Sequence, residues 1–289
     1  LDHHGNVAPW QAIEKERGIV IKSVRFDPRT GQLDVEDLAA KLTSRTKLLA
    51  LGIASNALGT ITPPELTRLA HNVGAEVFID AVHFAPHNLV DVKAWDCDFL
   101  ACSAYKFYGP HIGILFGKKK RIESLDFPKL DPAPGESPER VETGTQNHEG
   151  IVGAAAAVEF IASLGHGDSL REQLISSYAL HHRHGLGLLG KLWTGLAAID
   201  GVTLYGPTPD KPRTPTLSFT LRGHSTNDIA RALATKGLFV SNGDFYAMTV
   251  IERIGQAVDG VVRVGCSCYS TDDEVDRLLD GVREIARGQ

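Results

Sequence analysis

Two side chains in this 289-residue sequence are of types that do chemistry and stand where an apolar run gives out. Lys106 lies in CSAYKFYGPHIGILFG at 102–117, just past one apolar run and ahead of a second. A lysine so placed sits at the sheet edge where open α/β proteins bind ligands. Partial desolvation lowers an amine's pKa and frees it to form a Schiff base with an aldehyde, which is how pyridoxal phosphate is attached. Taken alone, a strand-end lysine more often just reaches solvent. Asp80 ends the apolar run of AEVFIDAVHFAPH, 26 positions earlier (106 − 80). A carboxylate there can pair with a protonated pyridine nitrogen and keep the ring an electron sink. In isolation it is as readily a helix cap or an ion-pair partner. The two together, in this order, favour a cofactor site.

Such a site needs strands to deliver it. Apolar runs of strand length alternate with helical stretches through GIVIKSVRF, VEDLAAKLTSRT, TKLLALGIAS, PPELTRLAHNVG, AEVFIDAV, CDFLACSA and IGILFGKK. That rhythm requires crossover connections, so it predicts an α/β fold with a mainly parallel sheet. Pro63 and Pro64 signal a helix start and Gly74 its stop. Residues 127–144 turn to Pro, Gly and Glu and read as a long ordered loop. Two long helices follow, in GIVGAAAAVEFIASLG and around REQLISSYALHHRHGLGLLGKLWTGLAAI. The remaining segments, from VTLYGP to DEVDRLLDGVREIARG, predict a smaller α+β domain with antiparallel character. The expected division is a large domain over 1–165 and a bridging helix with the small carboxyl-terminal domain over 166–289.

Composition narrows the partners. A net charge of −5 and 43% hydrophobic residues suit an ordinary globular protein and argue against a surface built for nucleic acid or an anionic membrane. The longest apolar runs fall short of the ~20 residues of a bilayer span. Four cysteines without a CxxC pair point to a reducing cytoplasm, and LDHHGNVAPW has no signal-peptide pattern. His181, His182 and His184 point to different faces of a helix and carry no ligand spacing, so no metal site is expected.

Five ordered motifs bear a resemblance across the chain. LDHHGNVAPW resembles an EHHxNxxPW box, IASNALGT an SNxxGT box, IDAVHFAPH a DxxQ/H box, SAYKFYGP an SxxKxxGP box and VETGTQN an ExGTxN box. The chain is thereby identified as similar to the class V aminotransferase and cysteine desulfurase-like family of pyridoxal-phosphate enzymes, fold type I. The resemblance implies that Lys106 carries the cofactor aldehyde and acts as general base, and that Asp80 holds the pyridine nitrogen. It implies that His3 stacks on the ring as a possible proton shuttle. Asn56 and His83 then serve the 3′-oxygen, Asn56 also faces the substrate, and Ser103 and Tyr105 serve the phosphate. Tyr105 stands where desulfurases often have histidine. Thr145 would reach the phosphate of a neighbouring subunit, implying a homodimer with shared sites. VVRVGCSCYSTDDEVDRLL resembles the family's RxSxxxYNTxEEVDRL box, making Arg263 a clamp for a substrate carboxylate.

The chain departs from the family twice. The loop that carries a desulfurase's nucleophilic cysteine reads SNGDFYAM here, with Tyr246 at that point; Cys266 and Cys268 lie past Arg263, on what should be the strand itself. Persulfide-forming desulfuration is therefore not expected. Nothing resembling the family's glycine- or threonine-rich phosphate turn precedes LDHHGNVAPW, so the sequence reads either as a piece lacking its amino-terminal part, which the missing initial methionine favours, or as a protein that has lost part of its phosphate cup. The expected activity is that of a pyridoxal-phosphate enzyme acting on an amino acid, by amino transfer or by β-elimination of a C–S bond. An epimerase of the same fold and a non-catalytic binding protein on a degraded fold are the alternatives.

Overall fold

The computed structural model describes residues 1–142 and 144–288. These group into two compact units: Leu1–Leu42, Gly52–Pro63 and Tyr178–Gln289 form the first, and Thr43–Leu51 with Pro64–Ser177 the second. The grouping differs from a single cut at 165/166. The amino-terminal segment packs within the carboxyl-terminal unit, where the N–H of Gly52 donates to Asp2 Oδ1 at 2.7 Å and Phe26 packs with Leu58, Val250 and Val261.

The second unit holds a four-stranded sheet in the order Leu48–Gly52, Glu76–Asp80, Phe99–Ser103, Gly113–Gly117. Glu76–Asp80 and Phe99–Ser103 run parallel, with Asp80 opposite Ala101, and Gly113–Gly117 is antiparallel, with Gly113 opposite Ser103. The sheet is thus mixed. Val77, Ile79, Leu49, Leu51 and Leu100 are buried, each contributing about 1.5–3 kcal/mol of apolar transfer. Pro63 precedes and Pro64 opens helical structure, which is split into a 3₁₀ turn at Pro64–Leu66 and a helix at Thr67–His71. The Pro/Gly-rich segment forms no helix or strand between Ser124 and His148 among the described residues. After it the helix His148–Ser163 starts where Asn147 Oδ1 accepts from the N–H of Gly150 at 2.9 Å.

At the opening end of these strands sits a charge network. Asp98 is buried, with 4% of its side chain exposed, and accepts hydrogen bonds from the N–H of Val77 (2.9 Å) and His71 Nε2 (2.9 Å). Lys118 Nζ lies 3.1 Å and Arg121 Nε 3.9 Å from the same carboxylate. Burial raises this carboxyl's pKa, but the bonds from His71, Val77 and Lys118 outweigh it and hold it below the usual aspartate range.

The first unit is built on an antiparallel sheet in the order Val202–Tyr205, Thr216–Leu221, Val261–Gly265, Ser241–Gly243. Leu217, Phe219 and Val262 meet Leu189, Leu192 and Leu196 of the long helix Leu170–Ala197, Ile229 and Leu233 of Thr226–Thr235, and Val282 of Asp272–Ala286. The last helix opens with a capping box in which the Thr271 and Glu274 side chains serve each other's backbone N–H groups.

Two sequence expectations are corrected. GIVIKSVRF yields only the short strand Phe26–Asp27, paired with Gln32–Leu33. Ile19 and Val20 are exposed, and the N–H of Ile21 turns to Glu14 Oε1 (2.9 Å) rather than to a ladder, so apolar character there finds no sheet to enter. The strand of Arg263 ends at Gly265, so Cys266 and Cys268 fall beyond it. Cys266 is buried, which pushes its thiol up to about 11 and leaves it un-ionised at neutral pH.

Candidate active site

The lysine half of the candidate residues is built in the second unit, at the carboxyl end of two adjacent parallel strands. Asp80 closes Glu76–Asp80, half-buried, with Oδ1 accepting from the N–H of Val82 at 2.9 Å. Its neighbour strand ends at Ser103 and passes directly into a 3₁₀ turn, Ala104–Phe107, that presents Lys106. Asp80 is close enough to the Cys102 thiol that, after burial, it is the second cause raising that thiol's pKa. The turn closes on Tyr108, whose φ of 71° is left-handed and whose N–H donates to the Ala104 carbonyl. Gly109 then passes so close that a Cβ would lie 2.9 Å from Ala104 Cβ and 3.0 Å from its oxygen, so no larger residue fits without movement.

Within this half, Lys106 is exposed with Nζ 4.9 Å from the Tyr105 ring centroid, and among the described residues no carboxylate lies within ion-pair reach of it. Tyr105 is exposed and stacks on His111, with centroids 5.0 Å apart and planes 11° from parallel. Ser103 Oγ makes no capping bond. His83 is half-buried and meets His87 edge-on at 5.3 Å. Thr145 is exposed on the loop before His148–Ser163; of its motif, residue 143 lies outside the described residues.

The arginine half belongs to the first unit. Ser55–Thr60 makes a tight turn, with the N–H of Gly59 donating to the Ser55 carbonyl at 2.9 Å. Arg213, fully buried, holds that turn by donating from Nη2 to the carbonyls of Leu58 (3.3 Å) and Thr216 (2.5 Å). The turn presents Asn56, whose Nδ2 donates to the Phe245 carbonyl at 2.8 Å while Oδ1 is buried with no hydrogen-bond partner among the described residues. Arg263, opposite Ser218 and Ser241 in the sheet, donates from Nη1 to the Asn56 carbonyl at 2.8 Å. Burial lowers its pKa, and no carboxylate pairs with it among the described residues. His3 caps the turn His4–Asn6, accepting from the N–H of Gly5 on Nδ1 at 2.9 Å, and its ring lies 5.6 Å from Tyr246.

The sequence-predicted residues thus gather as two sets: Asp80, His83, Ser103, Tyr105 and Lys106 on one unit, and His3, Asn56, Tyr246 and Arg263 on the other. Sequence reasoning passed over Phe245, Tyr108 and His111. A tyrosine ahead of Gly-Pro hints at a left-handed turn residue, but nothing in SNGDFYAM marks Phe245 as a partner of an arginine 18 positions on (263 − 245).

Two structural observations, one on each unit taken by itself, suit pyridoxal phosphate: an acceptor at Asn56 Oδ1 that is buried and orphaned among the described residues, and a hydroxyl without a capping bond at the end of the lysine strand. An acceptor buried without a partner costs about 1–3 kcal/mol, which a hydroxyl-bearing ligand would relieve.

The architecture is that of fold type I of the pyridoxal-phosphate-dependent transferases. The structure superposes on the apo cysteine desulfurase from Thermococcus onnurineus NA1 with a TM-score of 0.90 at 28% identity, over 100% of this chain and 71% of that one. With the Escherichia coli cysteine desulfurase CsdA the TM-score is 0.86 at 26% identity, over 99% and 70%. In sequence it is 33% identical to a cysteine desulfurase of Dickeya dadantii strain 3937 over 303 aligned residues, covering 99% of this chain and 69% of the relative. The family model for aminotransferase class V matches residues 1–278. The chain belongs to the class V aminotransferase family, whose members are pyridoxal-phosphate-dependent transferases and lyases.

Proposed function

We propose that this chain is a pyridoxal-phosphate enzyme acting on an amino acid, by amino transfer or by β-elimination at a C–S bond. The observation that carries the reading is the placement of Asp80 and Lys106 at the same end of adjacent parallel strands. Pyridoxal phosphate, when bound, supplies an aldehyde and an electron-accepting ring that stabilises negative charge at the substrate's α-carbon. Lys106 Nζ would hold that aldehyde and, once released, take and return the proton at the α-carbon. The Asp80 carboxylate would keep a proton on the ring nitrogen. His83 and Asn56 Oδ1 would serve the ring hydroxyl, with Asn56 bonded to the proposed substrate clamp Arg263. Ser103 Oγ and the Tyr105 hydroxyl would donate to the phosphate, and His3 would stack on the ring. Arg263 binds the substrate carboxylate through its planar fork.

Tyr246 bears on the reaction type. It occupies the loop point where the resemblance puts a nucleophilic cysteine, and it is 71% exposed. A phenol cannot carry sulfane sulfur as a thiolate does. Release of the sulfur-bearing group without a covalent persulfide on this loop is therefore favoured over the desulfurase route. Thr145, exposed on its loop, is proposed to reach the phosphate in the other subunit of a homodimer. None of the four cysteines forms a disulfide among the described residues, which supports the proposed placement in a reducing cytoplasm.

The test is spectroscopic. Purified protein incubated with pyridoxal phosphate should gain the visible band of lysine-bound cofactor, and Lys106→Ala should lose it with at least a ~10³-fold drop in turnover. A band of equal strength in the variant sinks the assignment. Amino acids added singly, with ketoacid, sulfide and racemised product assayed in parallel, then fix the reaction.

A further inference from the structure

Arg263 is held by a closed interlock of three residues. Its Nη1 donates to the Asn56 carbonyl (2.8 Å), Asn56 Nδ2 donates to the Phe245 carbonyl (2.8 Å), and the Phe245 ring lies under the guanidinium, with Cζ 4.0 Å from the ring centroid. The loop is shaped for this. Phe245 and Tyr246 both adopt left-handed backbone, at φ 55° and 56°. Such a conformation costs a non-glycine residue of order 1 kcal/mol or more and persists only where the surroundings impose it. They do so here: a Cβ on Gly260 would come within 2.4 Å of the Gly243 backbone, so two backbone segments touch directly beside the loop. On the other side Phe245 packs on the apolar cluster of Ala57, Leu58, Val250 and Val261.

The interlock leaves a defined edge of the guanidinium open. Nη1 is spent on Asn56, one face is covered by the ring, and Nε and Nη2 have no hydrogen-bond partner among the described residues. Those two N–H groups lie side by side and match the two oxygens of a carboxylate.

We propose that Phe245 is the positioning residue that presets Arg263 for side-on, two-point capture of the α-carboxylate through Nε and Nη2, so that the enzyme selects amino acids over amines lacking that group. The inference rests on Arg263 being the substrate clamp. A cation–π contact in a desolvated setting holds the guanidinium plane where an aliphatic side chain of equal bulk would not. Tyr246 does not do this work, since its ring faces His3 and not Arg263.

The test compares two carbonyl reagents on the pyridoxal-phosphate holoenzyme: amino-oxyacetate, which bears a carboxylate, and methoxyamine, which does not. The quantity read is the ratio of their second-order rate constants, taken from the change in cofactor absorbance. Arg263→Leu should lower the ratio by at least about tenfold. Phe245→Leu should lower it about fivefold, and Phe245→Tyr should restore it. Phe245→Met provides a second bulky, non-aromatic variant should the leucine protein fail to fold, and its ratio should fall likewise. If Arg263→Leu lowers the ratio while Phe245→Leu and Phe245→Met keep the wild-type value, the role of Phe245 is overturned and the clamp stands. If Arg263→Leu itself leaves the ratio unchanged, the clamp is wrong and the positioning role falls with it.

Discussion

Lys106 and Arg263 are both cationic and both proposed to meet the substrate, yet the fold holds them in opposite ways. Lys106 stands past the end of its strand on a single 3₁₀ turn, exposed, with one aromatic ring near its amine. Arg263 stands in the middle of its strand, half-buried, fixed by a carbonyl and a ring face. The contrast follows from what each must do. An amine that is to release an aldehyde and then shuttle a proton has to change position, so its backbone is fixed while its side chain stays free. A guanidinium that recognises one planar group gains by losing its freedom before the ligand arrives.

That contrast can be broken or sharpened by substitution. On the lysine side, Asp80→Asn keeps the shape of the strand end but removes the charge. Turnover should fall by about 10²-fold or more, with bound cofactor absorbing differently as its ring nitrogen loses a proton. Unchanged turnover would mean that Asp80 only caps its own turn. A smaller but still large effect is expected at the opposite end of the same strands, where Asp98→Asn should cost about 2–3 kcal/mol of unfolding free energy by weakening the charge-assisted bonds that His71, Val77 and Lys118 make to the buried carboxylate. Because its carboxyl is depressed in the folded state, Asp98 contributes stability above the unfolded aspartate pKa. That contribution is lost as pH falls through the lower folded value, so urea midpoints should drop below about pH 4 in the wild type and change less in the variant. The smallest effect tests the placement of the lysine alone. Gly109→Ala should destabilise by about 1–3 kcal/mol through the contact with Ala104, and rate should fall because the turn carrying Lys106 shifts.

Much of the lysine half could be read in advance because it is local. Asp80 and Lys106 each follow an apolar run, and strand ends are where α/β sheets place ligands, whereas Ser103 and Tyr105 took their meaning from the family's lysine motif. Asn56, Arg263 and His3 were legible through ordered motifs and not through periodicity. The antiparallel sheet of the first unit likewise announced itself in short apolar segments from Val202 to Gly265. What stayed hidden depends on contacts remote in sequence. GIVIKSVRF has strand composition, but strand formation needs a neighbour to take its N–H groups, and composition does not report neighbours. Phe245 was equally silent: its meaning comes from an asparagine 189 residues away and an arginine in another strand.

The Asp98 network has one more consequence. Glu76, Asp98 and Lys118 gather where the sheet's strands begin, while Asp80 and Ser103 mark where two of them finish. Endurance and the proposed chemistry thus occupy separate ends of one scaffold, a strand's length apart. Divergence can rework the chemical end toward new amino acids while the ionic end keeps the scaffold folded, so selection on one task need not be held back by the other.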